Sequence, residues 1–383
     1  MFTLCSQSSR AVQTLGLRFA PRWLASLLIS KKGGNMRKLT LGRTDLSVSE
    51  LCLGSMTWGT QNTLEEAFAQ IDMALDRGVN FIDTAEMYPV NPVRAETVGR
   101  TESYIGEWIA RSGRRGEVVI ATKHSGLNER FVRPGQPITG ETMHASVDAS
   151  LKRLQTDCID LYQLHWPNRG SYHFRQIWDY DPSGQDRAAT IANMVDVLEA
   201  MSALQKAGKV RHFGLSNESA WGTTQWLVQA EAMGAPRMET IQNEYSLLCR
   251  QFDSDLAEMS VNEDVTLLAF SPLATGLLTG KYQGGKTVPE GSRMALNGDL
   301  GGRVTERVWP AVDAYLAIAR KHGLDPSQMA IAWCRTRPFK TIPIFGATTL
   351  AQLEVALGAA DVVLSDEVLQ EISSAHRAHP MPY

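Results

Sequence analysis

Cysteine is scarce in this chain: there are five in 383 residues, at positions 5, 52, 158, 249 and 334. No two are spaced as a CxxC pair, which excludes a zinc ribbon or a dithiol redox centre, and an odd count does not suit a disulfide framework. Reduced thiols in the cytoplasm are expected. No run of 18 apolar residues occurs, so no transmembrane helix and no membrane partner are expected. Neither sign of charge dominates. Thirty-eight basic against 41 acidic residues leave a net charge of -3, and no nucleic-acid surface is expected. GxGxxG, HExxH and GxSxG are all missing, which argues against a doubly wound dinucleotide fold, a zinc protease and a serine hydrolase. Gly276 to Lys281 fails the P-loop spacing, and His376 and His379 read as solvated, so no metal is expected. Residues 1–35 contain no acid but carry Arg10, Arg18, Arg22, Lys31 and Lys32. This reads as an N-terminal extension. It is either a targeting or disordered arm, or the product of a start codon upstream of Met36.

From residue 36 to 383 the chain alternates apolar runs with amphipathic stretches and reads as one domain. A hairpin is expected around Gly42-Arg43-Thr44-Asp45. Strands then follow near Glu50–Leu53, in the apolar run after Gly78 that ends at Phe81, Ile82 and Asp83, and near Val118–Thr122, Ile159–Leu164, Val210–Gly214, Met238–Gln242, Thr266–Phe270 and Thr341–Phe345. A helical pattern follows each strand. The first helix opens on Thr63 with Glu66 three residues on, a capping box. Eight strand–helix units after a hairpin predict an α/β fold, a single (β/α)8 TIM barrel plugged by the hairpin. The connections after the third, fourth and seventh strands are too long to be simple links. The second of these carries Tyr172, Phe174, Trp178 and Tyr180.

Polar residues close several strands. Asp83, Lys123 and His165 lie 40 and 42 residues apart, one strand–helix unit each. Consecutive parallel strands would aim all three into one mouth. Taken singly, each has a plain reading: a helix cap, a solvated cation, a satisfied core histidine. FIDTAEMY, IATKH and LYQLHW, in that order, resemble the signatures of the aldo-keto reductase family over nearly the whole chain from Met36. SLKRLQTDCIDLYQLHWP, GLSNES, QNEYSLL, LTGKY and FGATTLAQL are most similar to its Tas-like bacterial branch.

The resemblance implies reduction of an aldehyde or ketone by hydride from a nicotinamide cofactor. Tyr88 would be the general acid, with Lys123 lowering its pKa, Asp83 holding Lys123 and His165 polarising the carbonyl. It also implies a cofactor site of Ser55, Met56, Asp83, Ser216, Asn217 and Gln242, with Tyr245 stacked on the nicotinamide. Ser271, Pro272, Leu273, Gly276, Leu277, Lys281 and Arg293 would meet the pyrophosphate, and Gly346, Thr348 and Gln352 the adenosine phosphate. Trp58, Tyr88, His165 and Trp166 would wall the substrate pocket and suit an apolar or aromatic carbonyl compound. Many members carry Arg or Lys near Thr348 or Thr349, and a Glu-Asn pair where this chain has Val355-Ala356. NADP(H) is still expected ahead of NAD. A different class shares the same barrel and cofactor site, the nucleotide-sensing regulatory β-subunits of potassium channels. Nothing in the sequence points to an oligomeric state.

Overall fold

The computed structural model describes residues 36–128 and 131–383. The expectations for residues 1–35 lie outside the described residues. A hairpin of β1 (Lys38–Thr40) and β2 (Ser47–Ser49) comes first, paired antiparallel with Leu39 opposite Val48. Eight parallel strands with helices between them follow in this order: β3 (Cys52–Gly54), α1 (Leu64–Asp76), β4 (Phe81–Asp83), α2 (Arg100–Ser112), β5 (Val119–His124), α3 (Gly140–Leu154), β6 (Ile159–Leu164), α4 (Arg187–Lys206), β7 (Val210–Ser216), α5 (Ala220–Met233), β8 (Met238–Glu244), α6 (Asp255–Glu263) and β9 (Thr266–Phe270). After β9 come α7 (Arg293–Leu296), α8 (Val308–Lys321) and α9 (Pro326–Cys334), then β10 (Thr341–Phe345), α10 (Leu350–Gly358) and α11 (Asp366–Ala378). The strands close in the order β3 to β10, and β10 returns to β3. This is the (β/α)8 barrel with its hairpin.

Two cores result from the alternation of side chains along each strand. One lies between barrel and helices and includes Leu53, Ile82, Ile120, Leu164 and Leu215 with helical residues such as Trp108, Val197 and Trp333. The other fills the barrel. Leu41, Leu46 and Val48 of the hairpin pack there on Cys52, Phe81, Val119, Leu161, Leu268 and Ile342. The hairpin therefore stoppers the barrel at the strands' N-terminal ends. Glu50 pins it there by pairing with Arg37 and with Arg335 just beyond α9. This use of Glu50 also explains why β3 begins at Cys52 rather than at Glu50.

Three strands run two residues further than their apolar runs suggest. Lys123 and His124 still pair with Gln163 and Leu164, Ser216 with Gln242, and Glu244 with Phe270. A parallel ladder is made by the backbone, so polar side chains at the mouth do not end it. Helix α4 starts five residues earlier than its apolar periodicity does, because Asp186 caps it through the Ala189 amide. The Thr63–Glu66 capping box of α1 is present as read.

Candidate active site

Interior positions continue upward from the apolar layer in steps of two. Phe81 leads to Asp83, Ala121 to Lys123, Leu161 to Gln163, and Leu268 to Phe270. The interior thus turns from apolar to polar one layer below the mouth. Lys123 is completely buried and donates to Asp83 Oδ2 at 2.7 Å and to the Thr84 carbonyl at 2.8 Å. Its third contact is the Tyr88 hydroxyl at 3.4 Å, and its ammonium stands 4.8 Å from the Tyr88 ring centre. The other oxygen of Asp83 accepts from Gln242 at 2.8 Å and Gln163 at 3.3 Å. A buried ion pair is tolerated when each charge is paired and its remaining valences are met, and here both conditions hold. Sequence reasoning missed Gln163. Its signal was its place in β6, two residues after an interior leucine.

Burial on its own would lower the Lys123 pKa, but Asp83 and Tyr88 outweigh it and hold the ammonium above its ordinary value. For Tyr88 the balance differs from the expectation. Burial raises the phenol and exceeds the opposing pull of Lys123. Tyr88 is thus firmly protonated at neutral pH, the form a proton donor requires. His165 lies edge-on to Tyr88, with ring centres 5.9 Å apart. Burial, then the charge of Lys123, pushes it well below the usual histidine range, so the ring is neutral. Its Nδ1 is buried without a partner. The structure therefore brings all four expected residues together around one point.

Glu86 and Arg133 complete this side, and neither was anticipated. Glu86 lies two residues before Tyr88 and is buried. It accepts from the Ser125 amide and the Ser146 hydroxyl, each at 2.5 Å, and from both terminal nitrogens of Arg133. It thereby ties the Tyr88 turn to the loop after β5.

On the opposite side, Asn217 has a left-handed backbone, φ 53°. Its amide nitrogen donates to the His165 carbonyl at 2.9 Å and to Ser216 Oγ at 3.0 Å, while its Oδ1 is buried without a partner. Ser216 donates to the Gln242 carbonyl. Ser55 donates to the Asp83 carbonyl, and Met56 beside it is half-buried. The loop after β9 is contorted: Ser271, Ala274, Thr275 and Gly276 all have positive φ. Pro272 is buried, Leu273 half-buried, and Leu277 belongs to the outer core. Gly276 has φ 97°, a backbone that favours glycine, and the end of the Lys281 side chain folds back over it, 2.8 Å from where a Cβ would stand. Arg293 reaches over the mouth to Met56 Sδ at 3.8 Å. Among the described residues no carboxylate pairs with it. Burial, followed by the charge of Arg303, brings its pKa down to about 10, leaving a cation at neutral pH. Gly346 is exposed, and Gln352 Oε1 accepts from both the amide and the hydroxyl of Thr348.

Two expected site residues are elsewhere. Tyr245 follows the interior residue Glu244, so its ring points outward. It stacks on Trp333 at 5.2 Å, its hydroxyl donates to Asp253 at 2.5 Å, and it is fully buried in the outer core. No ring face is left for a ligand. Phe270 takes the aromatic place at the mouth, half-buried and in register with interior Leu268. Trp58 is also fully buried, its indole donating to Gln70 of α1 at 2.9 Å, and does not wall the pocket. Trp166 does border the site, 4.7 Å from the His165 ring and 6.3 Å from Phe174. A cavity of about 510 Å³ opens behind Trp166, between the loop after β6 and helices α4 and α5. Leu164, Arg169, Ser216 and Trp226 line it, and none of Asp83, Tyr88, Lys123 or His165 does.

The model of the aldo/keto reductase family matches residues 50–377. This chain belongs to the aldo/keto reductase family. The chain is 44% identical to Protein tas of Escherichia coli over 342 residues, 88% of this chain and 97% of that protein. It is also similar to a probable voltage-gated potassium channel subunit beta of Arabidopsis thaliana, at 30% identity over 90% of this chain and 98% of that one. A third relative is norsolorinic acid reductase stcV of Emericella nidulans, at 28% identity over 85% and 78%. Members of this oxidoreductase family work with nicotinamide cofactors. No helix among the described residues is long and apolar enough to cross a membrane.

Proposed function

We propose that the protein is an NADP(H)-dependent reductase of aldehyde or ketone carbonyls, with Tyr88 as general acid, acting in the cytoplasm on a small molecule. The observation that carries this reading is the fully buried Lys123, bonded at once to Asp83 and to the Tyr88 hydroxyl. The bound cofactor supplies hydride; the chain supplies the proton and the field. A carbonyl seated between Tyr88 and His165 meets two neutral donors. As negative charge grows on its oxygen, the Tyr88 proton moves to it, and the nearby ammonium of Lys123 stabilises the phenolate left behind. Asp83, held by Gln163 and Gln242, keeps that ammonium in place.

The residues fit a dinucleotide. The unpartnered Oδ1 of Asn217 is an acceptor for a carboxamide N–H, and the carboxylate-free Arg293 is a partner for a phosphate. Lys281 and the amides that open α10 would add to phosphate binding. Phe270, rather than Tyr245, is positioned to take a ring face. Trp166 and Phe174 favour an apolar or aromatic carbonyl compound. Turnover of an aldehyde panel followed by NADPH absorbance tests the reading; binding of NADPH with no turnover of any aldehyde would sink it. The potassium-channel relative supports a second reading, a nucleotide-sensing regulatory subunit. In that case a protein partner would bind with an affinity that depends on NADPH against NADP.

A further inference from the structure

The Glu244 carboxylate, at the mouth end of β8, is buried and has no part in the chemistry above. It gathers groups from three other segments. Arg175, in the loop after β6, donates to Oε2 at 2.9 Å. Arg303, in the loop after β9, donates to Oε1 at 2.8 Å. Tyr383, beyond α11, donates its hydroxyl to the same Oε1 at 3.1 Å and is only 5% exposed. The Arg303 guanidinium also lies 5.8 Å from the Tyr383 ring centre, and Thr305 donates to the neighbouring Pro382 carbonyl at 2.5 Å. Gly301 and Gly302, both with positive φ, lie beside Arg175; a Cβ on Gly301 would stand 3.4 Å from its guanidinium, at ordinary contact distance. Phe174 and Arg175 are themselves left-handed, φ 58° and 67°. Two consecutive non-glycine residues hold that conformation only where their surroundings impose it.

The two tied loops serve different halves of the site. The loop after β6 brings Trp166 and Phe174 to the substrate side. The loop after β9 brings Lys281 and Arg293 to the phosphate side. Both loops grip one buried carboxylate, so when either leaves, water reaches Glu244 and weakens the ion pair that holds the other. We infer that Glu244, Arg175, Arg303 and Tyr383 form a clasp that makes these two loops open as one unit, with Tyr383 the positioning residue that holds it shut. The link to cofactor release rests on the function proposed above; the link between the loops does not.

The test is hydrogen exchange on the full, cofactor-free chain. Losing one hydrogen bond to a buried carboxylate corresponds to roughly a tenfold change in a local equilibrium. Tyr383→Phe should therefore speed amide exchange about tenfold in both 171–180 and 297–306. Arg175→Met removes the tie from one loop only, and exchange in 297–306 should still rise. Stopped-flow fluorescence should then find NADPH leaving Tyr383→Phe faster by a similar factor. If Arg175→Met loosens only its own loop, or if Tyr383→Phe changes neither, the clasp is refuted. Failure to bind NADPH at all would refute the cofactor reading, while the exchange results still decide the clasp. Circular dichroism melts of both variants establish that the barrel is intact.

Discussion

Phe81 and Asp83 sit two residues apart on one strand and face the same interior, as do Leu161 and Gln163 on another. The lower member of each pair packs against the hairpin; of the upper members, Asp83 holds Lys123 and Gln163 holds Asp83. Below, the side chains are interchangeable in kind, because apolar contact has no direction and only volume and shape matter. Above, the charged atoms of Asp83 and Lys123 each have named partners, because an unpaired charge would cost too much in so dry a place. The lower layer is therefore a reservoir of stability, and the upper layer consumes some of it to hold a charge. A substitution in one layer should separate stability from activity in the direction opposite to the same exercise in the other.

The largest effect should come from the upper layer. Tyr88→Phe keeps the ring and removes the proton, so kcat should fall on the order of a thousandfold or more with the melting temperature nearly unchanged. Wild-type kcat in that variant, measured with a good aldehyde, would mean that another group donates. In the lower layer Leu161→Ala should do the converse. A cavity under the hairpin costs about 2–5 kcal/mol in urea denaturation, while the folded fraction keeps its kcat. A marked loss of kcat with intact stability would show that the two layers are not separable.

Glu86 lies between these extremes. Burial by itself would raise its pKa, but Arg133, His124 and Ser146 outweigh it and bring the carboxyl from an ordinary 4.5 down to about 2. A carboxylate lowered on folding stabilises the fold fully above its unfolded pKa, and that contribution is lost as pH falls toward the folded one. Between about pH 4.5 and pH 2 the protein should shed up to about 3 kcal/mol from this group. Glu86→Gln should be less stable at neutral pH and should lack that acid limb. Parallel melts of both proteins across this range measure it; two curves of the same shape would dissociate Glu86 from acid sensitivity.

The smallest effect concerns Thr348, outside the barrel interior. Its hydroxyl and that of Thr349 are already engaged with Gln352, which leaves the amides at the start of α10, together with Lys281 and Arg293, for a 2′-phosphate. Thr348→Arg should widen the preference for NADPH over NADH by about tenfold, and less at high salt. Dissociation constants for both cofactors, read by protein fluorescence at two salt concentrations, test it. Equal affinities in the unmutated protein would remove the NADP assignment.

The lower layer could be read directly from the chain, since strand order, hairpin, caps and apolar runs follow from local pattern. Asp83, Lys123 and His165 could be read because they recur at one strand–helix spacing with distinctive neighbours, and Tyr88 because it closes the FIDTAEMY motif. The failures have a common physical cause, which is parity. Tyr245 is one residue past an interior glutamate, and that single step turns its ring from the mouth to the outer core; Phe270 is in phase with interior Leu268, but in the sequence it only ends an apolar run. Trp58 was misplaced because a turn, not a strand, carries it, and only the fold brings Gln70 within reach of its indole. Glu86 with Arg133, and Glu244 with Arg175, Arg303 and Tyr383, join residues 47 to 139 positions apart. No local pattern announces pairs so distant.

The hairpin across the foot of the barrel makes the interior a pocket rather than a pipe. Anything that approaches Lys123 comes in past Met56, Trp166 and Phe270 and goes out the same way. On the function proposed above, two guests must touch each other at the bottom, and they cannot pass each other in the doorway. Their traffic is then last in, first out, and the residence time of the deeper guest sets the pace for both. A change on the rim, many residues from the reacting atoms, can govern turnover by deciding how quickly the doorway clears.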